Sequence, residues 1–281
     1  MYVETLPAQN LSVPGLSARL GHKADNLATI VRDIRRRLDG SIGDFPQMHM
    51  AMRDLERLLL RGDEYRDEFN RLLKMFPAHE MDHFNNLYCY WETQLEKRFV
   101  QHLEQGVCRH VVDYPLYARF ERLIEREVSL LDGYQPRRLL FIGSGPMPIT
   151  AFCMQHRIDA PVDCLERSPE AVAESRSVID ILGFRDKIRV ITGLGESVDV
   201  EDYDVVLVAL LAKPKKLILE NLLRTCRRDV KIICRTSEGS RCFVYEPTTT
   251  DDIPKSLKVV RTERAGIDDT ISSSLLIRSN S

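Results

Sequence analysis

The sequence predicts an α/β protein in two parts, a helical N-terminal half and a doubly wound domain built on a mainly parallel sheet. Three observations predict it. Apolar residues recur at three- and four-residue steps from about residue 14 to 130. From Arg137 onward, short apolar runs alternate with amphipathic helices. A glycine-rich turn follows the first of those runs, where such domains bind ligands.

The helical half comes first. Leu16, Leu20, Leu27, Ile30, Ile34 and Leu38 mark one helix. A second is predicted from about Gln47 to Met75, ended by Phe76-Pro77. A third runs from about Glu80 to Glu104 and a fourth from about Pro115 to Leu131. The Arg35-Arg36-Arg37 run reads as a solvated helix face. The seam is placed near Asp132-Gly133-Tyr134-Gln135-Pro136, dividing a helical domain, 1–132, from a second domain, 133–281.

Strands are predicted at Leu139–Ile142, Val162–Leu165, Ile188–Ile191, Asp204–Leu210 and Val230–Cys234. Such apolar runs suit strands buried on both faces of a parallel sheet. Ser168-Pro169-Glu170 supplies an N-cap, a first-turn Pro and an early acid, and Gly183 closes that helix. Two late runs, Leu257–Arg261 and Ser274–Ile277, complete the order of the methyltransferase type of Rossmann fold.

The chemistry starts at Gly143-Ser144-Gly145-Pro146. The two glycines allow a tight turn and close approach of a ligand to the backbone. The third small residue of a full GxGxxG is missing, which argues against a dinucleotide and for a nucleoside without phosphates. Glu166, 23 residues after Gly143, is placed to accept hydrogen bonds from ribose hydroxyls. Gly193 and Leu194 after the third strand, and Ala209 and Leu210 after the fourth, complete the expected S-adenosylmethionine site. Leu194 stands where many such enzymes place an Asp, so adenine recognition falls to backbone groups.

Composition removes several classes. The 281 residues carry 40 basic and 42 acidic side chains, a net charge of -2, without the basic excess of a nucleic-acid binder. No apolar run is long enough to span a bilayer, and MYVETLPAQN lacks the features of a secretory signal. The seven cysteines form no CxxC and read as core thiols of a cytoplasmic enzyme. One motif competes. His79-Glu80-Met81-Asp82-His83 matches the H-E-x-x-H zinc-protease helix. Phe76-Pro77 puts His79 at the helix start, no third ligand follows at a familiar spacing, and a Rossmann half has no place in a typical zincin. No metal is therefore expected in the enzyme.

FIGSGPMPIT, residues 141–150, resembles the glycine motif of nicotianamine synthases, FVGSGPLPLT. Asp204–Lys215 resembles that family's fourth strand and turn. Cys234–Tyr245 resembles its R-S/T-x-x-G-x-R-x-x-x-Y segment. Leu95-Glu96-Lys97-Arg98-Phe99 resembles an L-E-x-x-F helix, and Tyr114-Pro115-Leu116-Tyr117 an F/Y-P-x-Y motif. The likeness runs from about Leu87 to Tyr245. It implies transfer of the 3-amino-3-carboxypropyl (aminobutanoate) arm of S-adenosylmethionine to an amine, leaving methylthioadenosine. Plant and archaeal members join three arms into nicotianamine. Bacterial members transfer one arm to histidine in the synthesis of opine metallophores, upstream of an opine dehydrogenase.

The resemblance nominates Glu96 to orient the ammonium and accept its proton, and Tyr117 to position the amine. Glu80, Glu92 and Tyr114 are the nearest substitutes, with Tyr114 placed against the substrate. Arg235 and Arg241 are candidates to grip a carboxylate in bidentate fashion. The Arg-rich, Lys-poor helices and the absence of plant targeting lean to the bacterial branch, for which the resemblance implies a histidine acceptor; no residue decides D- or L-histidine, and the lean is to L-histidine. Self-condensation of S-adenosylmethionine, a conventional methyltransferase, a non-catalytic nucleoside-binding module and a homodimer remain open at this point.

Overall fold

The computed structural model describes residues 24–62 and 64–279. Leu16, Leu20 and the N-terminal segment read above lie outside the described residues. The helical half holds α1 (Ala24–Asp39), α2 (Phe45–Leu60), α3 (Arg66–Met75) and α4 (Ala78–Glu104). Asp44 caps α2 by accepting from Gln47 N, with Pro46 in the first turn. The single helix expected over 47–75 is two, α2 and α3. The break is at Gly62, where a β-carbon would come within 1.9 Å of Ser240 Oγ and 2.8 Å of Leu59 O. A distant segment, invisible to local periodicity, thus ends the helix.

After a short 3-10 turn at Val111–Asp113 comes α5 (Tyr117–Leu130). The second half then runs β1 (Leu139–Ile142), α6 (Ile149–Arg157), β2 (Val162–Glu166), α7 (Pro169–Ile181), β3 (Ile188–Thr192), β4 (Val205–Val208), α8 (Lys215–Thr225), β5 (Lys231–Thr236), β6 (Leu257–Glu263) and β7 (Ser272–Arg278). The sheet order is β3-β2-β1-β4-β5-β7-β6. Strands β1 to β5 are parallel, and β7 runs antiparallel to both β5 and β6. Every residue of β1, β2 and β4 is buried, as apolar runs in a covered parallel sheet require. β3 differs from the expectation of two buried faces. It is an edge strand with Arg189 exposed. The order in which strands are laid down along the sheet reverses between the parallel neighbours β1 and β4, which opens a crevice at their carboxyl ends.

The two halves share one hydrophobic core, running from Leu27 to Leu276. Helix α5, assigned to the helical part by sequence, packs on α6 and against β6 and β7. In the opposite sense, the 3-10 turn Gly239–Phe243 plugs into the helical half. Phe243 meets Phe69, Phe76 and Phe84 edge-on, with ring centroids 6.1, 5.4 and 5.9 Å away. Helix α4 packs on α7 and so bridges both halves. A cut at residue 132 would therefore strand α5 from its sheet and Phe243 from its socket. No helix among the described residues is long and apolar enough to cross a membrane.

Candidate active site

The turn after β1 carries Gly143 at φ 84° and Gly145 at φ 68°, a left-handed backbone that disfavours side chains. Close packing adds a second reason. A β-carbon on Gly143 would lie 3.0 Å from Ala212 Cβ, and one on Gly145 would lie 3.0 Å from Glu96 Oε2. A cavity of about 220 Å³ opens here. Gly143, Ser144, Gly145, Pro146, Glu166, Gly193 and Leu194 line it on the sheet side, and α4 supplies Glu92, Thr93 and Glu96 on the other. Glu166 ties the end of β2 to the turn, accepting from Gly145 N at 3.0 Å and Ser168 N at 2.9 Å. A smaller cavity of about 80 Å³ adjoins and shares Glu92, Glu96, Gly143 and Ser144.

Ala209 and Leu210 line only the smaller cavity; the wall of the larger one is Leu211, Ala212 and Lys213. β4 stops at Val208, two residues short of the Leu210 that apolarity suggested, so the turn is reached sooner. Beneath it the buried Lys215 ammonium donates to the carbonyls of Ala209 and Leu210.

Glu92 and Glu96 stand one turn apart on one face of α4. Both keep a partial opening to the cavity but are otherwise enclosed. Burial pushes the Glu92 carboxyl up to about 7, against the Tyr245 hydroxyl, which donates to it at 2.6 Å, and the Arg119 charge. Burial and then the neighbouring Glu92 charge push Glu96 well above the usual carboxylate range, despite a hydrogen bond from Met147 N. Two acids so close favour sharing charge with a cation that enters between them. Behind them, Tyr245 packs edge-on to Tyr88 at 5.0 Å. Tyr88 donates to Glu56 at 2.6 Å, and Glu56 is paired to Arg119 at 2.6 Å.

Other nominated residues stand elsewhere. Tyr117 begins α5, half-buried near Cys153 and Glu121, and lines neither cavity, whereas Phe120, one turn on, borders the smaller one. Tyr114 is buried against the rings of Phe99 and Phe120, behind Glu96. Arg235 borders the smaller cavity, but its guanidinium is committed. It grips both oxygens of buried Glu127, at 2.8 and 2.9 Å, and Thr150 Oγ1 at 3.0 Å. Arg241 donates to the carbonyls of Asp269 and Gly266, at 2.8 and 2.9 Å, away from both cavities. These two arginines thus read as structural ties in place of carboxylate receptors. His79 and Glu80 do lie inside α4, which starts at Ala78. Glu80 pairs with Arg35 at 2.9 Å and His83 with Asp39 at 2.5 Å. No group of three metal-binding side chains is found among the described residues.

Tyr245 and Lys213 were not nominated from the sequence, and Glu92 only as a substitute. Tyr245 closes the R-S/T-x-x-G-x-R-x-x-x-Y segment, and Lys213 lies in the Asp204–Lys215 segment that also carries the resemblance, though nothing there singles it out as a ligand.

Comparison with known proteins agrees with this architecture. The family model described as nicotianamine synthase protein matches residues 71–280. Nicotianamine synthase 9 of Hordeum vulgare is 25% identical over 238 residues, covering 80% of this chain and 66% of the relative. L-histidine 2-aminobutanoyltransferase of Yersinia pestis is 28% identical over 128 residues, covering 46% of this chain and 48% of the relative. The chain therefore spans about half to two thirds of the length of these curated relatives. A crystal structure of a Glu-to-Gln mutant of MtNAS in complex with S-adenosylmethionine superposes with a TM-score of 0.79 at 25% identity, covering 90% of this chain and 98% of that one. With three quarters of its length matched by the family model, the chain belongs to the nicotianamine synthase family.

Proposed function

We propose that the protein transfers the 3-amino-3-carboxypropyl arm of S-adenosylmethionine to the α-amine of histidine, releasing methylthioadenosine. The observation that carries this reading is the Glu92–Glu96 pair facing the Gly143–Pro146 turn across one cavity. The turn and Glu166 suit a nucleoside without phosphates. The paired acids suit a cationic partner, which a methyl transfer to oxygen or carbon would not require.

The chemistry follows from a sulfonium with three electrophilic carbons. The carbon attacked is the one held in line with the nucleophile at about 3–3.5 Å. A new N–C bond forms, the C–S bond breaks, and its electron pair stays on sulfur in methylthioadenosine. An amine that arrives as an ammonium must first give up a proton. Glu92, with its carboxyl near 7, is matched to take that proton at neutral pH. Glu96, against Gly145, holds the amine over the turn. Tyr245 keeps the Glu92 carboxylate aimed at the cavity.

Histidine as acceptor is supported by the Yersinia pestis relative, an L-histidine 2-aminobutanoyltransferase. The product keeps the primary amine of the transferred arm, the group that an opine dehydrogenase condenses with a 2-oxo acid. The Hordeum vulgare relative supports a second reading, in which S-adenosylmethionine itself supplies the acceptor and nicotianamine is made. A mass-spectrometric product assay decides between them. S-adenosylmethionine is supplied alone, then with L- or D-histidine. Methylthioadenosine with singly alkylated histidine supports the first reading, and nicotianamine without histidine the second. S-adenosylhomocysteine would overturn both.

A further inference from the structure

We infer that Lys213 is the receptor for the acceptor's carboxylate, and that Glu246 occupies it as a stand-in carboxylate until the acceptor arrives. This rests on the aminobutanoate-transfer reading above and adds the residue that selects an amino acid over a plain amine.

The site is short of free cations. An α-amino acid brings a carboxylate beside its amine, and the acids of α4 can answer only the amine. The arginines that sequence nominates for the carboxylate are committed: Arg235 to Glu127 and Thr150, Arg241 to the carbonyls of Asp269 and Gly266. Among the described residues, the cations that line the larger cavity are Arg167 and Lys213. Arg167 follows Glu166 at the end of β2, beside the acid expected to hold the ribose. Lys213 follows the β4 turn and faces the acid-bearing helix. The Cys89 thiol, one turn before Glu92 and Thr93 on α4, feels Glu92, Glu96 and Lys213 together. An ammonium between Glu92 and Glu96 and a carboxylate on Lys213 therefore match the two charges of a zwitterion.

The Lys213 ammonium is held by the Glu246 carboxylate, with side chains 51% and 60% exposed. An ion pair so open to solvent holds its partners only weakly. A substrate carboxylate, desolvated in the cavity and anchored at its amine, makes the stronger charge-assisted bond and displaces it. Exchange of one carboxylate for another leaves the charge count at Lys213 unchanged.

The test compares histidine with histamine, which lacks only the carboxylate, in the full-length protein. Histamine is scored by turnover or, where it is not turned over, by competitive inhibition of histidine transfer. Lys213→Gln is expected to raise KM for histidine about tenfold or more, with kcat changed far less, and to leave histamine within about twofold. Lys213→Arg should restore most of the histidine affinity, and Glu246→Gln should lower the KM for histidine a few-fold. Equal losses for histidine and histamine in Lys213→Gln would overturn the assignment. A rise confined to the KM of S-adenosylmethionine would also overturn it, and give Lys213 to the carboxylate of the arm. Absence of any transfer to histidine by the parent protein would instead remove the functional reading beneath it.

Discussion

The two ends of α4 carry similar residues with different fates. Near its start, His79, Glu80 and His83 spell a known metal motif. In its second half, Glu92 and Glu96 spell nothing by themselves. Yet Glu80 and His83 end in surface pairs with Arg35 and Asp39, while Glu92 and Glu96 face a cavity with their carboxyls pushed up by burial. The difference is the company each end keeps. The first lies against the partly exposed end of α1, and the second spans the glycine turn of a buried strand. Residue type and spacing set what a helix offers, and enclosure sets whether the offer is reactive.

Substitution at the enclosed end should have the largest effect. Glu96→Gln and Glu92→Gln are each expected to lower kcat for methylthioadenosine release by about 10²–10⁴-fold, the range for loss of a general base. Glu80→Gln at the open end should change it by less than twofold. Similar losses at both ends, read by steady-state rates, would break the comparison.

Arg235→Ala tests whether this arginine is a structural tie. It would leave Glu127 buried without its partner, at a cost of roughly 3–5 kcal/mol. Denaturant unfolding measures that loss, which a substrate-binding arginine at a solvated edge would not show.

The pH dependence of stability sharpens the contrast. Glu92 keeps its proton to about pH 7 in the fold, against about 4.5 in the unfolded chain. The unfolded state binds fewer protons between those values, so stability falls as pH rises through the window, by roughly 3 kcal/mol for this group. Comparing thermal unfolding at pH 5 and 7 in the parent and in Glu92→Gln isolates it. The variant should lose the Glu92 share of the slope and keep a share from Glu96, whose carboxyl burial also raises.

Gly145→Ala combines a left-handed φ with a β-carbon 3.0 Å from Glu96 Oε2. It should lower stability by about 1–2 kcal/mol and weaken S-adenosylmethionine binding, which calorimetry measures. The smallest effect is expected at the zinc-like motif. His83→Ala, or treatment with a chelator, should leave turnover unchanged and cost at most about 1 kcal/mol.

Much of the second half was legible from local sequence. Strand β1 falls at the residues its apolar run marks, and Ser168 with Pro169 starts α7 as its cap predicts. The glycine turn and Glu166 share a cavity as expected. Less local features were not legible. Gly62 ends α2 because Ser240 arrives from 178 positions away. Arg235 and Arg241 looked like carboxylate receptors until Glu127 and two backbone carbonyls took their guanidinium groups.

By itself, then, the sequence determined the order of the strands, the tight turn at Gly143 and Gly145, and the presence of acids one turn apart on α4. Those depend on residues near one another in the chain, where backbone sterics and periodicity act. Only the tertiary structure decided which acid is enclosed, which cation is already paired, and that Tyr245 and Lys213 face α4 at all. Charge state and availability depend on desolvation and on partners brought from far along the chain, and these exist only once the two halves close on one core.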